Sequence, residues 1–80
     1  MMDSNQIQTL IQRRYNSGCY VQTLFDPIQT HALYGVRKED KIEIRHILKD
    51  ECGVTHIRMV NNGYGYTIIC FKIKKNKANE

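Results

Sequence analysis

The chain has 80 residues, 41% hydrophobic and 25% charged, with one proline, five glycines and a formal net charge of +4. That composition excludes a disordered segment or a fibre, and so short a chain makes one domain with a thin core. No apolar run approaches the roughly 18 residues of a membrane span, and the polar start MMDSNQ lacks a signal-peptide core, so a cytoplasmic protein that does not meet a membrane is expected.

The positive balance favours anionic partners. Much of it lies in Lys72, Lys74, Lys75 and Lys77, so the sequence suggests a domain over residues 1–73 and a frayed basic tail over 74–80. Three cysteines at wide spacing do not make a secreted disulfide framework, and reduced thiols are expected.

A first helix is signalled by Asp3 and Gln6 at capping-box spacing, followed by Ile7, Leu10, Ile11 and Tyr15 at helical period. Asn16-Ser17-Gly18 should stop it, with Gly18 supplying the left-handed residue. CYVQTLF then alternates, with Cys19, Val21, Thr23 and Phe25 sharing one face. Asp26-Pro27 predicts a turn, and the stretch from Thr30 to Val36 a returning strand.

Asp40 is a candidate N-cap for a second helix whose apolar stripe is Ile44, Ile47 and Leu48, ending before Gly53. Lys41–Arg45 also alternates, so a strand competes there; the glycine stop and the helix-forming run ILKDE favour helix. VTHIRMV and YGYTIICFKI flank Asn61-Asn62-Gly63, where Asn-Gly predicts a tight type I′ hairpin. The order is helix, hairpin, helix, hairpin (αββαββ). The expected fold is an α+β two-layer sandwich, a four-stranded antiparallel sheet with two helices on one face.

Such a sandwich leaves the other sheet face open. On the last strand Ile69, Phe71 and Ile73 should face the helices, sending Tyr64, Tyr66, Ile68 and Cys70 outward. Ile57 and Met59 belong inside on its partner, which sends His56 and Arg58 outward; in the first hairpin Val21, Phe25 and Leu33 go in, and Tyr20 and Tyr34 go out. Tyrosine is a good strand former, which by itself accounts for some of this clustering. An apolar, aromatic patch without helix cover also serves partners.

Asn62-Gly63-Tyr64-Gly65-Tyr66-Thr67-Ile68-Ile69 resembles the third-strand signature of the RNA-recognition motif. The glycine-aromatic-glycine-aromatic core matches, whereas the basic, aliphatic and final aromatic positions do not. ILKDECGVTHIRMV is similar to that family's helix-to-strand passage, and Tyr34 falls where its first-strand aromatic stands. The likeness runs from Thr30 to Ile73, and the N-terminal helix and CYVQTLF would supply the family's last helix and strand in circularly permuted order. What the resemblance implies is a ferredoxin-like sandwich on which Tyr34, Tyr64 and Tyr66 stack on unpaired bases. Arg58 and the Lys72–Lys77 tail would meet phosphates, and Gly65 would allow close approach.

Cys52 and His56 have ligand-like local spacing, with Cys70 on the adjoining hairpin, but structural zinc needs four ligands, usually in close pairs. No nucleophile motif, phosphate-binding glycine loop or paired carboxylates appear, and neither enzyme activity nor a cofactor is expected. The acidic residues Glu39, Asp40 and Glu43 alternate with Lys38, Lys41 and Arg45, a solvated mixed face. Two functions stay open: a module binding single-stranded RNA or DNA, and a protein-binding adaptor or inhibitor of the kind carried by phages and mobile elements. Each would use Tyr20, Tyr34, His56, Arg58, Tyr64, Gly65, Tyr66, Ile68, Lys72, Lys74 and Lys75; a homodimer burying the same face is a structural variant of the second.

Overall fold

A computed structural model describes residues 2–74. Helix α1 (Ser4–Tyr15) starts at a complete capping box: the Asp3 carboxylate accepts the Gln6 N–H at 2.9 Å, and the side-chain amide oxygen of Gln6 accepts the Asp3 N–H at 2.9 Å. It ends earlier than Gly18. Asn16 takes the left-handed conformation (φ 47°, ψ 51°) and its N–H donates to the Gln12 carbonyl. Asparagine tolerates that region because its short polar side chain bonds locally.

Strand β1 (Tyr20–Thr23) stops short of Leu24 and Phe25. Phe25 was expected inside and is instead fully exposed, at 106%. The reason is local: the Asp26 carboxylate accepts the N–H groups of Ile28 and Gln29 at 2.7 and 3.0 Å, which turns the chain away from the sheet before Phe25 can pair. Strand β2 (His31–Arg37) returns.

A 3₁₀ turn (Lys38–Asp40) leads into α2 (Lys41–His46), which continues as a wide π-type turn through Ile47–Glu51. The competing strand over Lys41–Arg45 does not form. Ile44, Ile47 and Leu48 are buried, and Gly53 follows at φ +72°. Strands β3 (Thr55–Asn61) and β4 (Tyr66–Lys72) make the second hairpin. Its turn is not type I′, since Asn62 does not take positive φ. Instead Asn62 accepts the Tyr64 N–H on its side-chain oxygen at 2.9 Å, and Gly63 and Gly65 take φ +86° and +82°.

The fold is the expected α+β arrangement, four antiparallel strands in the order β1-β2-β4-β3 with two helices on one face. The β2–α2–β3 crossover leaves a gap between its strands, and β4 fills it. Ile7 and Ile11 of α1 and Ile44 and Leu48 of α2 bury with Leu33, Val36, Ile69 and Phe71 in one cluster. Val21, Ile57, Met59 and Ile73 pack at its rim, as their alternation requires. Among the described residues no helix is long and apolar enough to cross a membrane.

A bulge interrupts β2. Leu33 pairs with Ile69 and Val36 with Thr67, so Tyr34 and Gly35 together oppose Ile68. Gly35 lies at φ +84°, and a Cβ there would stand 3.4 Å from the Cys19 Cα. Gly35→Ala should therefore lose about 1–3 kcal/mol in urea unfolding through backbone strain. Gly18→Ala, at negative φ with open space around it, should be neutral or slightly stabilising.

Candidate functional site

Register settles what the open face carries. Outward rows run across the sheet as Gln22, Ala32, Cys70 and Arg58; then Tyr20, Tyr34, Ile68 and Val60; then Arg37 and Tyr66. Lys72, paired with Thr55, extends this face at one end. Tyr20, Tyr34, Tyr66, Ile68 and Arg58 are thus brought together as the alternation predicted.

Tyr20 and Tyr34 stack on each other, with ring centroids 5.3 Å apart and 16° between planes. This cross-strand pair forms a firm aromatic wall. Tyr66 is 43% exposed and unstacked beside Arg37, its register partner. Tyr64 sits in the hairpin loop rather than on a strand, 85% exposed. Gly65 lies next to it, and its carbonyl accepts the Lys38 N–H at 3.0 Å, which ties the loop to the end of β2.

Tyr66 and Arg37 border a concavity of about 390 Å³ whose other walls are Asn16, Ser17, Gly18 and Gly35. The two glycines present backbone without side chains there, so a flat group can lie close to the sheet. Arg37 was missed by sequence reasoning because strict alternation from Leu33 sends it inward; the bulge at Tyr34-Gly35 reverses the parity. Gly35 inside a strand pattern was the available signal.

His56 does not join the tyrosines. It is the left-handed residue (φ 54°) of a second bulge, between Thr55 and Arg58 on β3. There it borders a different concavity, with Arg45, Lys49, Val54 and Ile57. Lys74 is exposed just past β4. Lys75 and the rest of the predicted tail lie outside the described residues.

Gln8 and Gln12 hold α1 against the outer edge of β1: Gln8 accepts the Val21 N–H at 2.8 Å and Gln12 donates to the Cys19 carbonyl at 2.8 Å. On α2, Glu43 accepts the Tyr15 hydroxyl and Glu51 forms an ion pair with Arg14 at 2.8 Å, so these two carboxylates turn towards α1. The mixed face read from the sequence is therefore sorted by tertiary contacts. None of the four strands contains Asp or Glu, whereas Arg37, Arg58 and Lys72 all lie on them.

Among the described residues no three His, Cys, Asp or Glu side chains converge in a way that could hold a metal ion. Cys19 and Cys52 are buried, and Cys70 is half-buried on the open face. Partial burial pushes the Cys70 thiol up, with Arg58 opposing the shift and Asp26 adding to it. No protein-family model, curated protein or solved structure matches this chain.

A raised thiol pKa means less thiolate at neutral pH. Iodoacetamide should modify Cys70 more slowly than free cysteine at about pH 7.5, and the midpoint of its rate-against-pH curve should lie above that of free cysteine. Mass spectrometry of the alkylated peptide reads both.

Proposed function

We propose that the chain is a small non-enzymatic module that binds single-stranded nucleic acid, RNA in particular, on its tyrosine-bearing sheet face. The observation that carries this reading is the segregation of charge. The strands combine Tyr20, Tyr34 and Tyr66 with Arg37, Arg58 and Lys72 and hold no carboxylate. A polyanion meets cations and aromatic rings there, and the carboxylate that reaches this face, Asp26, stands in the loop after β1 near Cys70 rather than on a strand.

Tyr66 and Tyr64 are the base-stacking candidates, because neither ring is stacked on another tyrosine. Arg37 is the phosphate partner beside the glycine-walled concavity, and the Tyr20–Tyr34 wall bounds the path across the sheet. The resemblance to the RNA-recognition motif adds support. A circular permutation of that family's ferredoxin-like sandwich yields the strand order β1-β2-β4-β3, with Tyr34 and Tyr66 on the two adjacent central strands.

A protein partner is the second reading, favoured by a specific feature: Ile68 and Val60 share the face, and the neighbouring loop exposes Phe25 and Ile28. In that case the chain is an adaptor, an inhibitor or a homodimer closed over this face.

Fluorescence anisotropy with labelled single-stranded RNA and DNA pools at about 50 and 200 mM salt distinguishes the two. Nucleic-acid binding should fall steeply over that range, and Tyr66→Ala or Tyr64→Ala should each cost about 1–3 kcal/mol. Arg37→Ala should lower the salt slope by about 0.7, the value for one phosphate contact on a single strand. Salt-insensitive or absent binding removes the nucleic-acid reading.

A further inference from the structure

The two edges of the sheet are treated differently. In an antiparallel pair, alternate residues turn their N–H and C=O groups away from the partner strand. On β1, Leu24 N–H bonds the Thr30 carbonyl at 2.8 Å, which turns Cys19 and Val21 outward, where Gln12 donates to the Cys19 carbonyl and Gln8 accepts the Val21 N–H. On β3, Asn62 N–H bonds the Tyr66 carbonyl at 3.1 Å. Val60 and Arg58, paired with Ile68 and Cys70, therefore bond inward, and Met59 and Asn61 turn their backbone groups outward. Among the described residues nothing bonds those outward groups.

Natural edge strands are commonly blunted with lysine, proline or a bulge. The bulge at His56 blunts only the first end of β3; Arg58–Asn61 is regular and holds neither proline nor lysine.

Beside this edge lies the concavity of about 300 Å³ with Val54 and Ile57 as apolar lining and Arg45 and Lys49 as cations. Arg45 of α2 and Lys49 of the π-type turn that follows it both line this concavity, while Glu43 and Glu51 bond Tyr15 and Arg14 of α1. Arg58 supplies a cation on the opposite sheet face. An incoming strand would thus meet positive charge from whichever side its alternate side chains point. A second copy of the chain brings Arg58 and no carboxylate on its own β3, so it offers such an edge like charge.

We propose that the open edge of β3 docks an extended acidic segment of a partner protein as an added strand. It pairs with the backbone of Met59 and Asn61 and sets carboxylates against Arg45 and Lys49. This site shares no cation with the tyrosine face except Arg58, at its border.

The probe is a fluorescein-labelled peptide of alternating Glu and Val, with an alternating Lys and Val peptide and a backbone N-methylated Glu-Val peptide as controls. The acidic peptide should bind and slow amide hydrogen exchange at Met59 and Asn61, and both controls should bind at least about tenfold more weakly. Arg45→Glu/Lys49→Glu, checked for an unchanged circular dichroism spectrum, should weaken the acidic peptide about tenfold. The proposal is overturned by no binding, by equal binding of the lysine peptide, or by protection of other amides. It is also overturned if exchange at Met59 and Asn61 slows with protein concentration alone, which assigns the edge to a second copy.

Discussion

Everything in this domain depends on β4 lying between β2 and β3. A central strand is paired on both edges, so its side chains can only go to the two faces, and each face receives every second residue. Thr67, Ile69 and Phe71 therefore meet the helices and are fully buried, while Tyr66, Ile68 and Cys70 line the other side. One seven-residue strand thus builds the middle of the core and the middle of the open face. A slip of one residue would exchange them.

The helices divide the work of covering the remaining surface. α1 packs Ile7 and Ile11 into the core and uses the next positions, Gln8 and Gln12, to close the backbone of β1. Glutamine suits this because its amide both donates and accepts. α2 buries Ile44 and Leu48 but reaches β3 with cations rather than with edge-closing amides. The strands carry Arg37, Arg58 and Lys72 but no carboxylate, whereas the helices carry charges of both signs. The result is a sheet with one edge bonded by glutamines, one open edge and strands free of carboxylates.

Two bulges tune that plan. The one at Tyr34-Gly35 turns Arg37 to the open face beside Tyr66, and the one at His56 takes that histidine off it. Each changes the parity of its strand by one residue, which is why Arg37, just past one bulge, was missed and His56, within the other, was misplaced. The misplaced helix stop, the hairpin type and Phe25 share another cause. Asn16, Asn62 and Asp26 each form a local polar arrangement or left-handed cap that side-chain patterns reveal only as a set of equivalent turn residues.

The order of the elements, the capping box, the buried stripe of α1 and the faces of β4 are legible in the residues alone, because period and local hydrogen bonding are properties of short stretches. So is the placing of Tyr20, Tyr34 and Tyr66 on the uncovered side. Tertiary structure alone decided that β4 is central, that Tyr20 and Tyr34 stack, that Arg37 joins the face and that β3 keeps an open edge. Those outcomes turn on strand order, bulge parity and contacts between residues far apart in the chain, which no local period encodes.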